Sequence, residues 1–280
     1  MSKQDEYILI DGVCMTVAAF GAMPKAGVKR IYAIGCTSLT ELHAPVAKYI
    51  TARGCTALTE LNAPKAVEIY ASGCTALTEI NAPNAESIDA PGCTSLTELH
   101  APKAEYIYAP GCTSLTELHA PKAEYIYVSG CTALTEIHAP KAVEIYANCC
   151  AALVKLHAPV AERIYATGCT ALTEIHAPNV ENIDARGCAS LTDLHAPVAE
   201  RIYATGCTAL TGMIHGGMDS RGYHFFGFPQ GGGYRIFAGC RNFTPEEALA
   251  HWGPGGPSDR PDCLALVQKI ITEIKMKERV

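Results

Sequence analysis

A chain of 280 residues carries 22 Lys and Arg against 28 Asp and Glu, a net charge of −6, with the two signs interspersed. That pattern lacks the basic stripe that tracks phosphate backbones, which argues against nucleic acid as a partner. No stretch approaches the ~18 apolar residues of a membrane helix, and Met1-Ser-Lys-Gln-Asp-Glu-Tyr7 is acidic where a secretory signal is basic and then apolar, so a cytoplasmic protein is expected.

Residues 1–34 hold a short strand-like run, Tyr7-Ile-Leu-Ile10, and a half-unit, Arg30-Ile-Tyr-Ala33, and are expected to form an N-terminal cap. From Gly35 to Thr205 a 19-residue unit then repeats nine times without an insertion, and a tenth copy opens at Gly206. A fixed period of this length is the signature of a solenoid, in which each coil buries its apolar face only against its neighbours. Within one coil the apolar residues are Cys74, Leu77, Ile80, Ala82, Ala85, Ile88 and Ala90, and the next opens with Cys93. Spacings of two mark alternation along a strand, and spacings of three mark corners. The predicted fold is therefore mainly β: a parallel β-solenoid over 35–214 with two short strands per coil. One is Thr-Glu-Leu-His-Ala, as at 97–101, and the other Glu-Tyr-Ile-Tyr-Ala, as at 105–109.

The punctuation agrees. The proline column from Pro45 to Pro197 closes the first strand, where a missing N–H costs least. The glycine column from Gly35 to Gly206 fills a turn that calls for positive φ, and Pro91-Gly92 and Pro110-Gly111 read as type II turns. One coil departs: Cys149 replaces the glycine, and Ala151, Val154 and Lys155 replace Thr, Thr and Glu, which predicts local strain or a break in the surface pattern. Ten cysteines, Cys36 to Cys207, recur at one phase. Side-by-side pairing on parallel strands would be strained, so a reduced, buried cysteine ladder is expected.

After Ile214 the pattern changes, and residues 215–280 are expected to form a small α+β cap. Tyr223-His-Phe-Phe-Gly-Phe and Tyr234-Arg-Ile-Phe-Ala, joined across Gly231-Gly-Gly233, read as a β-hairpin. Thr244-Pro-Glu-Glu247 has capping-box spacing for a helix through Trp252, and a second helix is predicted over 260–278.

Ala66-x-x-Ile69-x-Ala71-x-x-Cys74-x-x-Leu77 resembles the leucine-rich-repeat core, Leu-x-x-Leu-x-Leu-x-x-Asn/Cys-x-x-Leu, with alanines in some leucine slots. The chain is similar over 35–214 to short bacterial leucine-rich repeats, although its period leaves no room for a helix in each coil, and both a flat two-sheet solenoid and a curved horseshoe fit it. Residues 238–252 resemble a tail of uncharacterised bacterial and phage repeat proteins. The first resemblance implies a binding scaffold without specifying what is bound, and the second implies no activity.

Two outward faces are candidate sites. The second strand presents Tyr108, Tyr127, Tyr146 and Tyr165 in one column, with Tyr106, Tyr125 and Arg163 in the column beside it. Tyrosine ladders stabilise sheets, and Tyr and Arg are also preferred hot-spot residues of protein interfaces. The first strand presents six consecutive histidines, His100, His119, His138, His157, His176 and His195, beside a column of acids broken by Lys155. Such a strip offers divalent-metal ligands, and equally reads as a solvated surface. Threonine columns such as Thr56, Thr75 and Thr94 resemble those of ice-binding solenoids, but their spacing of three from the second threonine column places the two around a corner. His215, Asp219, Ser220, His224 and Cys240 match no hydrolase or thiol-protease spacing. The expectation is a non-enzymatic, cofactor-free scaffold for a protein partner or a structural role, with self-association through a solenoid face open to it. The alternative is a metal-binding surface protein, with ice binding and catalysis as distant alternatives.

Overall fold

The computed structural model describes residues 7–22, 27–230, 232–239 and 241–277. Each 19-residue coil contributes two three-residue strands, such as Glu117–His119 and Tyr125–Tyr127. In both the central residue points into the core and its neighbours point out. Strands are shorter than the five residues predicted because the flanking Thr and Ala already turn the corners. The hydrogen-bond ladder nevertheless runs one residue further, with Ala109 N–H donating to Tyr127 O at 2.8 Å.

Second strands stack in parallel register, Tyr106 on Tyr125 and Ile107 on Ile126, into a 12-stranded sheet that runs without interruption to Arg201–Tyr203. The N-terminal segment enters this same sheet. Arg30–Tyr32 starts the parallel array, Tyr7–Ile10 pairs antiparallel to it, and Val13–Thr16 pairs antiparallel beyond that. A one-and-a-half-turn helix, Val17–Ala22, comes next, and its Phe20 is buried in the solenoid core. The strand Val13–Thr16 and this helix are not predicted from the sequence, because neither carries a long periodic pattern.

First strands stack in the same way but not continuously. They form one sheet of four, from Glu41–His43 to Glu98–His100, and one of five, from Glu117–His119 to Asp193–His195. Leu99 is half-buried at the break, whereas its counterparts Leu61, Ile80 and Leu118 are buried. Nothing in the side-chain pattern marks this seam, since the two coils that meet there are identical over 92–108 and 111–127.

Between the sheets lies a thin core of Leu, Ile, Ala and Cys with almost no exposure. The ladder cysteines are free thiols. Each Sγ from Cys55 to Cys207 donates to the carbonyl 22 residues earlier, at 2.6 Å for Cys55 to Ala33 and 3.0 Å for Cys207 to Ala185. Neighbouring ladder thiols, and then burial, push the Cys112 thiol far above its ordinary range, so it remains a protonated donor. The second threonine column is bonded in the same manner: Thr59, Thr78 and Thr97 hydroxyls donate to the preceding coil's carbonyl at 3.0, 2.9 and 3.1 Å.

The corner glycines adopt φ of +67° to +84°, and Cys149 takes their place at +61° with its N–H still donating to Thr167 O at 2.8 Å. The left-handed conformation costs a residue with a Cβ about 1–2 kcal/mol. Cys149→Gly is therefore expected to stabilise the protein by about 1 kcal/mol once the greater freedom of glycine in the unfolded chain is subtracted, read as a higher urea midpoint.

The C-terminal cap is a four-stranded antiparallel sheet, Ile214–Met218, His224–Gln230, Gly233–Ala238 and Arg241–Phe243, with helices Pro245–Trp252 and Pro261–Lys277. Alternation along the hairpin sends Phe226, Phe228 and Phe237 into the solenoid core. The opposite face sends Phe225, Ile236 and Ala238 against Trp252, Val267, Ile270 and Ile274. A Cβ on Gly216 or Gly227 would lie 2.7 Å from Ile270, so these glycines let the long helix lie directly on the sheet. The capping box is formed, with Thr244 Oγ accepting from Glu247 N at 3.1 Å and Glu247 accepting from Thr244 N at 2.7 Å. Gly231 of the hairpin loop, Cys240 and residue 278 of the second helix lie outside the described residues, as do residues 1–6. Among the described residues no helix is long and apolar enough to cross a membrane.

Candidate functional site

Parallel register brings the second-strand tyrosines into one face. Tyr127, Tyr146 and Tyr165 stack with centroids 4.6 Å apart at each step, and Tyr127 also meets Tyr108 at 5.7 Å and Tyr106 at 5.6 Å. All of Tyr108 to Tyr165 in this column are half-buried by the stacking, while Tyr106 and Tyr125 stand out at 37% and 38% exposure. Burial, and then the Glu144 carboxylate, push the Tyr127 and Tyr146 hydroxyls above their ordinary range, and the Tyr146 O–H donates to Glu144 Oε2 at 3.3 Å. Arg163 pairs with Glu144 across the coil boundary. The pair is partly exposed and contributes little to stability.

The interruptions of the tyrosine column are themselves neutralised. Asp89 lies 3.5 Å from Arg53 Nη2, and Asp184 accepts from Arg186 Nε at 2.8 Å. Burial alone would raise the Asp184 carboxyl, but hydrogen bonds from Arg186 and Thr167 outweigh it and hold the group below its ordinary range. The same arginines lie over rings, Arg53 at 5.1 Å from the Tyr70 centroid and Arg186 at 5.9 Å from that of Tyr203. Sequence reasoning missed these two. The available signal was their shared phase, one residue before a corner glycine (Gly54 and Gly187).

On the other face the imidazoles of His119, His138, His157, His176 and His195 stack at 5.0, 5.9, 6.1 and 4.9 Å. The stack begins on the far side of the seam from His100, in register with the five-stranded sheet. It is loosest around Lys155, where Glu136, His138, His157, Glu174 and His176 line a recess of about 340 Å³. Among the described residues, three metal-ligand atoms within 4.8 Å of one another occur at one place only, Asp219, Asp262 and Cys263 in the cap. There Arg260 already lies 3.1 Å from Asp219 and 2.7 Å from Asp262.

Of the cap residues with nucleophilic or acid–base chemistry, Ser220 and Asp219 are held by hydrogen bonds within the cap. Ser220 Oγ accepts from Arg260 Nη2 at 2.9 Å, and Asp219 accepts from the Arg221 and Tyr223 amides at 2.9 Å each. Burial, and then Asp262, push the Cys263 thiol up, the opposite of an activated nucleophile. No family model matches the chain, and no curated protein or solved structure does either.

Proposed function

We propose that the protein is a non-catalytic repeat scaffold that binds a protein partner through the tyrosine face of its 12-stranded sheet. The observation that carries this reading is the pair Tyr106 and Tyr125, exposed in register above a stacked tyrosine ladder. The ladder holds Tyr127, Tyr146 and Tyr165 in place, and Tyr106 against Tyr127, before any partner arrives, so these rings lose little side-chain entropy on binding. The rings present flat apolar area with the Glu144–Arg163 pair beside them, and rigid aromatic anchors of this kind concentrate interface energy.

The test is retention of a protein from native lysate by the full chain, then rebinding of that purified protein to wild type and to Tyr106→Ala/Tyr125→Ala. An affinity loss of about 30-fold or more, the equivalent of one hot-spot residue, is expected. Equal binding by both proteins, or retention of nothing by either, rejects the reading.

A second reading, divalent metal held along the histidine strip, is supported by the five stacked imidazoles and the acids beside them. It requires ring rotations to bring three donors together. Calorimetric titration with Zn²⁺ separates it: His138→Ala/His157→Ala/His176→Ala should abolish heat uptake under this reading and leave partner binding unchanged under the first.

A further inference from the structure

The C-terminal cap contains a recess that neither the tyrosine face nor the histidine strip accounts for. Its volume is about 210 Å³, and it is lined by buried Phe225 and Trp252 together with Tyr223, Ser258 and the exposed Arg221 and Arg241. That is below the roughly 300–1,000 Å³ of sites for drug-sized ligands, and so fits a compact molecule of a single ring. A Cβ on Gly239 would meet the Tyr223 ring at 3.0 Å, so glycine at this position leaves the ring free to stand as a wall.

The charges around the recess do not cancel. Asp219 also lines it, but its oxygens are taken by two backbone amides and by Arg260 and Arg221 at 3.1 and 3.4 Å. Arg241 is different. It takes part in none of the ion pairs among the described residues, and its Nη1 instead donates to His251 Nε2 at 2.7 Å. His251 is fixed between Phe243, stacked at 4.9 Å, and the edge of Trp252 at 4.8 Å. Burial, and then Arg241 itself, depress the His251 pKa, which keeps the imidazole a neutral acceptor. A guanidinium is thus oriented without being neutralised, beside an aromatic floor, leaving N–H donors in the planar fork that matches a carboxylate.

We propose that this recess is a binding site for a small monoanion with a flat apolar body, an aromatic carboxylate, with Arg241 as the anion partner and Trp252 and Phe225 receiving the ring. The site is independent of the tyrosine face. Trp252 is the only tryptophan in the chain, so its fluorescence reports the site in the intact protein.

The experiment titrates the full chain with benzoate, acetate and benzylamine, following tryptophan emission and, separately, heat. Benzoate should give a saturable change with an affinity at least about tenfold above acetate, and benzylamine none, since a charged hydrogen bond and ring burial are both needed. Arg241→Gln should weaken benzoate by about tenfold or more, and Arg241→Lys, which keeps charge but not the fork, should fall between. Thermal midpoints of both variants should lie close to wild type, because Arg241 is exposed and loses only its hydrogen bond to His251; should Arg241→Gln unfold, Arg241→Lys alone carries the comparison. Linear, collisional quenching by benzoate in wild type, equal binding of benzoate and benzylamine, or unaltered benzoate affinity in the folded Arg241 variants overturns the proposal.

Discussion

Ile126→Ala is expected to lower stability by about 2–5 kcal/mol, the cost of truncating a fully buried aliphatic side chain where the surroundings relax only in part. Ile126 has no exposed surface and lies mid-way along the solenoid, in register with Ile107 before it and Ile145 after it. The truncation therefore weakens two coil–coil interfaces together. Because stability in a stack is a sum of coil and nearest-neighbour contributions, the loss falls between the halves rather than at an end. Urea unfolding monitored by circular dichroism should show a lower midpoint and a broadened or double transition. The matching change in the last coil, Ile202→Ala, touches one solenoid neighbour, Ile183, and should leave a single transition. One sharp transition in Ile126→Ala would argue that the solenoid melts as one body.

Asp219→Asn is expected to destabilise the cap by about 1–3 kcal/mol at neutral pH, since it replaces a buried carboxylate that accepts from two backbone amides and two guanidinium groups, although Arg260 keeps Asp262 at 2.7 Å. The Asp219 side chain has no exposure and lies 3.1 Å from Arg260 Nη1, itself 24% exposed. Burial would raise its pKa, but hydrogen bonds from the Tyr223 and Arg221 amides and from the Arg221 and Arg260 side chains outweigh that and depress it. A depressed folded pKa means the stability it contributes is present in full above the unfolded value near 4 and is lost as pH falls through the lower, folded value. The gap between wild type and Asp219→Asn should accordingly be widest from about pH 5 upward and narrow on acidification below about pH 4. Thermal unfolding across that range, read by Trp252 emission, measures it. A gap constant with pH would mean that the carboxylate's charge is not what holds the loop.

The solenoid is legible in the sequence because its inward residues obey one spacing rule in every coil, from Cys36 to Cys207, and because the prolines and glycines fall on corners. Strand lengths are over-read, since Thr and Ala beside each triplet carry β-compatible chemistry while already turning. The hairpin is legible from two aromatic runs across glycines, but its outer partners are not. Ile214–Met218 contains two glycines and Arg241–Phe243 is only three residues long, so neither shows a period. The recess in the cap cannot be read from sequence at all, because Arg221, Arg241 and Trp252 sit on a turn, a strand and a helix that only the tertiary fold brings together. Tyr106, Tyr108, Tyr125 and Tyr127 stand out from sequence alone because a fixed repeat converts sequence phase directly into position on a face.

The seam in the histidine sheet gives the molecule a mechanical character that its repeat does not announce. Along one side the 12-stranded sheet is an unbroken flange; along the other, the flange is cut between Glu98–His100 and Glu117–His119. A beam built this way is compliant in one sense only. Bending at the slit breaks no strand pairing on that side, whereas bending that stretches the intact side does, and the buried core continues beneath both. The coils before and after the seam are then two strand-paired blocks joined through the intact sheet, where Tyr106 pairs with Tyr125 across the same coil boundary. Flexing the rod would change the spacing of the two most exposed aromatic rings on the opposite surface.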